Sequence, residues 1–171
     1  MTIHTSHPFA ENERVLGRQL RGRLGNRVSL WCAGQLSEWP GGLTVSSMLV
    51  VPGEPWRVVG FIDPTSELAS TLEETGRATV TLLEWGDRAI ADMFAGLTPA
   101  PRGPFKHAEF RQTDYGPLLA GAQTWAAVEV EDVCEVGWMQ QVTCRAVDIT
   151  IGADDTPLHH VRGRYAQITR S

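Results

Sequence analysis

Lysine is nearly missing from this chain: Lys106 stands alone among 171 residues, and arginine carries almost all the positive charge. With 15 basic and 20 acidic side chains the formal charge is −5. That excludes a general nucleic-acid binder, because neutralising a phosphate backbone needs clustered cations. Cysteine is scarce too. Cys32, Cys134 and Cys144 are odd in number and spaced neither as C-x-x-C nor as a zinc set, so they read as reduced thiols packed as small apolar groups. No window approaches the roughly 18–20 apolar residues of a membrane span, and "MTIHTSHPFAENER" lacks a charged region followed by an apolar core. These absences point to a cytoplasmic protein without membrane or nucleic-acid partners.

A metal centre and a hydrolytic triad are missing as well. His159 and His160 are adjacent in a strand-like segment, so they face opposite sides, and no His pair at helical spacing or carboxylate cluster accompanies them. His4 and His7 fall in the loose start of the chain and His107 in a loop. No Ser-His-Asp arrangement is defensible.

What is present describes one domain spanning residues 1–171, with about the first seven loosely ordered. Seventeen Gly and ten Pro imply many turns and short elements, which favours a mostly β architecture. Near the start, Arg14, Arg18, Arg21 and Arg23 alternate with Val15, Leu16, Leu20 and Leu24 as in an amphipathic helix with a solvated basic face. A membrane- or phosphate-facing role is the other reading of that face.

"RVSLWCAG" and "LTVSSMLVV" read as a hairpin around "QLSEWPGG", and "RVVGFID" as a third strand. "SELASTLEETG" then has the grammar of a helix: Ser66 at the N-cap, Glu67 in the first turn, Leu68 and Leu72 four apart, Gly76 at the stop. "RATVTLLEW" is a strand, and "DRAIADMFAG" a second short helix with a stripe of Ile90, Met93 and Phe94. After the Pro-rich loop "LTPAPRGPFK" come three strand-like segments, "GPLLAGAQTWAAVEVEDVCEV", "GWMQQVTCRAVDITIG" and "LHHVRGRYAQI". Six or seven strands with two or three short helices predict a closed or nearly closed β-barrel with helices at its ends.

The order and wording of these segments resemble the flavin reductase-like, FMN-binding split-barrel family from about Leu24 to Ile168. "GLTVSS" resembles that family's Gly-hydrophobic-Thr-small-small-Ser strand, and "FIDPTSELASTLEETG" its strand-to-helix segment. "ADMFAG", "GPLLAGAQTWAAVEV" and "PLHHVRGRY" resemble its second helix, the strand beyond it and its C-terminal strand. The resemblance implies a Greek-key split barrel that dimerises with itself and builds its flavin sites near the subunit interface. Five tryptophans, Trp31, Trp56, Trp85, Trp125 and Trp138, offer more aromatic surface than one small core needs.

By the same resemblance the flavin ring edge lies along Thr44, Val45, Ser46 and Ser47. Phe61, Ile62 and Asp63 follow the ribityl chain, and Ser66 meets the phosphate with the first N–H groups of its helix. Thr81 stands where the family prefers Asn. The implied activity is hydride transfer from NAD(P)H to FMN, or to FAD, with reduced flavin passed to a partner monooxygenase. No catalytic side chain is required, since the chemistry is the cofactor's.

Taken without the family, these residues say less: "TVSS" fits a half-solvated strand, and Ser66 is a sound cap with or without a phosphate. The chain also departs from the family. Trp138 and Met139 replace an Asp-His pair, which makes Trp138 the candidate beside the nicotinamide and brings two alternatives forward. One is a flavin-dependent oxidoreductase acting on another substrate, and the other a non-catalytic flavin-binding dimeric module. Leu68 and Pro104 replace a Thr and a Lys, leaving Lys106, Arg88 or a second subunit's arginine as substitutes at the phosphate.

Overall fold

The computed structural model describes residues 16–168. Helix α1 (Leu16–Leu24) leads into β1 (Asn26–Arg27), β2 (Ser29–Ala33), β3 (Gly41–Val45), β4 (Met48–Val51) and β5 (Arg57–Ile62). Helix α2 (Glu67–Thr75), β6 (Arg77–Leu82) and α3 (Arg88–Phe94) follow. The chain ends in three hairpins: β7 (Phe110–Thr113) with β8 (Gly116–Leu119), β9 (Trp125–Val136) with β10 (Met139–Thr150), and β11 (Leu158–Val161) with β12 (Arg164–Gln167). The expected loose start, Arg14 and Val15 lie outside the described residues.

The main sheet has seven antiparallel strands in the order β3-β2-β6-β9-β10-β5-β4. Its two edge strands, β3 and β4, are consecutive in the chain and joined by only Ser46 and Ser47. In a flat sheet those edges would lie roughly 29 Å apart, a span that two residues cannot bridge at about 3.5 Å each. The sheet must therefore curl until its edges meet, which gives the expected β-barrel with short helices. This junction corrects the reading of "LTVSSMLVV" as one strand: Ser29 pairs with Val45 at the end of one ladder, and Met48 pairs with Gly60 at the start of another.

Strand β2 is buried on both faces, and its alternation separates two apolar layers. Trp31, Val45, Ile62, Val80, Val128 and Val142 fill the barrel, with Leu68 and Leu72 of α2 packed against them. Leu30 and Cys32 point the other way, toward Phe94 of α3, Leu119 and Leu158. The Trp31 indole needs a donor's partner inside the barrel and has one: Nε1 donates to Ser29 Oγ at 3.1 Å, and Ser29 Oγ donates to the Val45 carbonyl at 2.7 Å. Gly60 lets β5 approach that ring, since a Cβ there would lie 2.7 Å from it.

"LHHVRGRYAQI", expected as a single strand, is the β11–β12 hairpin, turning at Arg162 and Gly163 and joining β1 in a separate three-stranded sheet. Both turn residues have positive φ, 51° and 76°, the left-handed pair that a two-residue hairpin requires. Helix α1 forms as its spacing predicts, yet it buries no side chain: Leu16, Leu20 and Leu24 are 79%, 68% and 69% exposed. The thiols pack as expected at Cys32 and Cys144, where burial pushes the Cys144 pKa up to about 12, but Cys134 is exposed.

Candidate functional site

The junction that closes the sheet also gathers most of the sequence candidates. Ser47 and Phe61 clasp each other across it: the Phe61 N–H donates to the Ser47 carbonyl at 2.9 Å, and Ser47 Oγ donates to the Phe61 carbonyl at 2.9 Å. Ser46 lies between the two ladders, paired with neither strand in the register. Val45 and Ile62 turn their side chains into the barrel core, so only their backbones face outward.

Thr44 is committed elsewhere. Its hydroxyl donates to the Ala91 carbonyl of α3 at 2.7 Å. Thr81 is buried on β6, and both threonines pair with Leu30 from opposite sides, which puts them in one cross-strand row. They therefore stand on the α3 side of the sheet, not with Ser47.

Beyond β5 the chain forms a tight loop whose polar groups satisfy one another. Asp63 Oδ1 accepts from the Thr65 N–H at 2.8 Å and the Thr65 hydroxyl at 2.7 Å. Ser66 Oγ donates to the Asp63 carbonyl at 2.7 Å and accepts from the Ala69 N–H at 3.2 Å, the N-cap that the sequence predicts. Trp138 sits at the tip of the β9–β10 hairpin, 61% exposed, two residues from Gln140, which pairs with Ile62.

Ser46 opens onto a cavity of about 660 Å³. Arg18, Arg21 and Arg23 of α1, Arg162 of the β11–β12 turn and His160 of β11 line it, and among the described residues no carboxylate does. Four of the chain's 15 cationic side chains thus converge on one space in a protein of net negative charge. Burial first, and then the charge of Arg21, holds His160 below the usual imidazole pKa. Tyr165 packs edge-on against His160 with ring centroids 5.8 Å apart, and its hydroxyl donates to Asp92 Oδ1 at 2.7 Å. Helix α3 therefore braces the site from two sides, through Ala91 to Thr44 and through Asp92 to Tyr165.

The arginine wall is the part that sequence reasoning assigned to solvent. Its signal was present in the three-residue spacing of Arg18 and Arg21, but the turn that supplies Arg162 lies some 140 residues away. Among the described residues no group of three or more His, Cys, Asp or Glu side chains is placed to hold a metal ion. No described helix is long and apolar enough to cross a membrane.

Residues 21–169 match the family described as "Flavin reductase like domain". The chain belongs to that family. Among solved structures it is similar to the NADH:FAD oxidoreductase SgcE6 of Streptomyces globisporus C-1027, in complex with NAD and FAD fragments. The two are 20% identical over 93% of this chain and 94% of that one, with a TM-score of 0.82. It is similar also to the styrene monooxygenase flavin reductase SMOB of Pseudomonas putida S12, at 20% identity over 92% and 99% of the two chains and a TM-score of 0.80. A third is BorF, the flavin reductase component of a bacterial two-component tryptophan halogenase, at 17% identity over 90% and 97% and a TM-score of 0.78. No curated protein matches the sequence. At these identities the solved structures show the shared fold, and the family match covers nearly the whole chain.

Proposed function

We propose that this chain is a single-domain NAD(P)H:flavin oxidoreductase that binds FMN, or FAD, at the Ser46–Ser47 junction and supplies reduced flavin to a monooxygenase. The observation that carries this reading is the junction itself. It leaves Ser46 outside both ladders, beside a cationic cavity, within a fold of the flavin reductase family. A buried ring edge bearing carbonyls and ring nitrogens needs donors and acceptors, and the hydroxyls of Ser46 and Ser47 with the peptide groups of residues 44–47 are the nearest source.

When bound, the flavin supplies the redox chemistry with a reduced nicotinamide. The chain's own part is to hold and orient. Ser46 and Ser47 meet the ring edge, the backbones of Val45, Phe61 and Ile62 shape its surroundings, and the Asp63–Ser66 loop closes one end. Thr44 and Thr81 stiffen the strands behind it, because the Thr44 hydroxyl is already bonded to α3. Trp138 presents an exposed aromatic face where the family has an Asp, with Met139 next to it in place of the His, and Trp138 is the residue we place beside the nicotinamide, where it acts by stacking.

A homodimer fits the uncovered apolar surface: Leu16, Leu20 and Leu24 on α1, and Leu49, Val50 and Val51 on the edge strand β4. A cytoplasmic setting fits the three unpaired thiols.

The test is the oxidation of NADH and NADPH by the purified protein, followed by absorbance with and without FMN or FAD. Turnover that saturates with flavin is expected. Flavin binding without turnover would replace this reading with a flavin-dependent oxidoreductase on another substrate, or with a non-catalytic flavin-binding module, both of which the Trp138 substitution favours.

A further inference from the structure

Two histidines stand side by side in β11, and the fold decides which of them can meet a ligand. Adjacent strand residues face opposite ways, so only one can turn toward the cavity beside Ser46. It is His160, which lines that cavity together with Ser46, whereas His159 does not. His159 stays local, with Nδ1 3.5 Å from the Pro157 carbonyl two residues away.

His160 is also held more firmly than a surface histidine needs. Strand β11 is the middle strand of its three-stranded sheet, so His160 pairs with Asn26 on one side and with Tyr165 on the other. The Arg162 N–H donates to the Gly22 carbonyl at 2.7 Å, which ties the end of the hairpin to α1. The Tyr165 ring meets the imidazole edge-on, with centroids 5.8 Å apart, while its hydroxyl is anchored on Asp92 Oδ1 at 2.7 Å. Tyr165 therefore fixes the imidazole by contact and takes up neither of its nitrogens. A neutral imidazole carries one N–H donor and one acceptor nitrogen, and burial first, then the charge of Arg21, favours that neutral form. A ring so held offers a hydrogen bond beside the Ser46 hydroxyl without the entropy of ordering a loose side chain.

We propose that His160 is a flavin-binding residue whose imidazole hydrogen-bonds the polar edge of the ring beside Ser46, with Tyr165 as the positioning residue that holds it there. The inference rests on the flavin-binding reading given above. It adds to the strand residues 44–47 a contact from the far end of the chain.

Binding of FMN and of riboflavin to the wild type, His160→Phe, His160→Gln, Tyr165→Phe and His159→Gln is measured by fluorescence titration, and the visible absorption bands of the bound flavin are recorded for each. His160→Phe keeps a ring of similar size without its nitrogens. It should weaken both flavins by about three- to tenfold and shift the bands, because a lost hydrogen bond at the ring edge changes the flavin's electronic environment. His160→Gln, which restores a donor and an acceptor, should recover most of the affinity and of the band position. Tyr165→Phe keeps the ring contact but loses the tie to Asp92, and should move both readouts less, in the same direction. His159→Gln should match the wild type. A loss for FMN that riboflavin does not share would place His160 at the phosphate and overturn the ring contact. Wild-type affinity and bands in His160→Phe, at an unchanged melting temperature, would overturn the proposal and leave the flavin-binding reading standing. If the wild type binds neither flavin, that reading fails and this inference with it.

A second measurement needs no ring substitution to fold. The imidazole proton and nitrogen resonances of the wild type are followed by NMR as riboflavin is added, with His160→Gln supplying the assignment. Those of His160 should move on saturation while those of His159 stay in place. Unmoved His160 resonances in the flavin-loaded protein would sink the proposal.

Discussion

Two places in this molecule put serine hydroxyls at the end of a β-strand, and they use them in opposite ways. In the Asp63–Ser66 loop the partners lie within six residues, and every hydroxyl named there is bonded to its own neighbourhood. At the Ser46–Ser47 junction the partners are distant: Ser47 is bonded to Phe61 and Thr44 to Ala91, while Ser46 is left facing an arginine-lined cavity. A hydroxyl's availability is thus set by the chain that folds over it and not by the residues beside it. The first region is a finished piece of helix architecture, and the second has room for a ligand.

The largest perturbation removes both regions together. Gly60 carries β5 past Trp31, and any Cβ there lies 2.7 Å from the indole, too close for the ring to yield inside a filled barrel. Gly60→Val should destabilise the protein by about 2–4 kcal/mol in chemical denaturation and reduce flavin binding only in proportion to the unfolded fraction. If the variant is as stable as the wild type, the packing of β5 against Trp31 is not what joins the two regions.

A smaller change separates the junction from its brace. Thr44→Val keeps the shape but leaves the Ala91 carbonyl without its side-chain donor, which should cost about 1–2 kcal/mol. Flavin affinity should follow, because α3 also holds Tyr165 against the cavity wall through Asp92. Unaltered affinity in the destabilised variant would show that Ser46 is positioned without α3.

The sharpest version of the comparison exchanges the two serines. Ser66→Ala should lower stability by about 1 kcal/mol, the usual cost of a lost cap, with flavin affinity unchanged. Ser46→Ala should do the reverse, leaving stability within about 0.5 kcal/mol and weakening flavin binding by about three- to tenfold. Denaturant melts and fluorescence titrations of the two variants check this. If Ser66→Ala weakens flavin binding and Ser46→Ala does not, the roles assigned here are inverted.

The same contrast explains what could be read from sequence. Helix α2 was legible to the residue because its signals are local: Ser66 caps it, Leu68 and Leu72 face the barrel, and Gly76 ends it at φ of 66°. The β2–β3 hairpin and the strands β5, β6 and β10 were legible from alternation. The break at Ser46–Ser47 was not, since an apolar, alternating stretch looks alike whether its two halves pair with one neighbour or with two on opposite edges of a sheet. Nor was the hairpin in "LHHVRGRYAQI", where Arg162 hides a turn usually announced by Asn or Asp. The arginine face of α1 is exposed, as its spacing suggested, but its leucines find no core in this chain, and the turn that its arginines meet comes from the far end of the sequence.

The smallest effect tests the cavity's field directly. His160 faces Arg21 from α1, Arg162 from its own hairpin turn and Tyr165 from β12, whose hydroxyl is tied to Asp92 of α3. Burial first and Arg21 second hold its pKa below the ordinary imidazole value, so over the range just below that value the folded protein binds fewer protons than the unfolded chain. Stability therefore rises with pH there, and lowering the pH from about 7 to about 5 should reduce it more in the wild type than in His160→Gln. If the two proteins lose the same stability over that range, some group other than His160 carries the dependence.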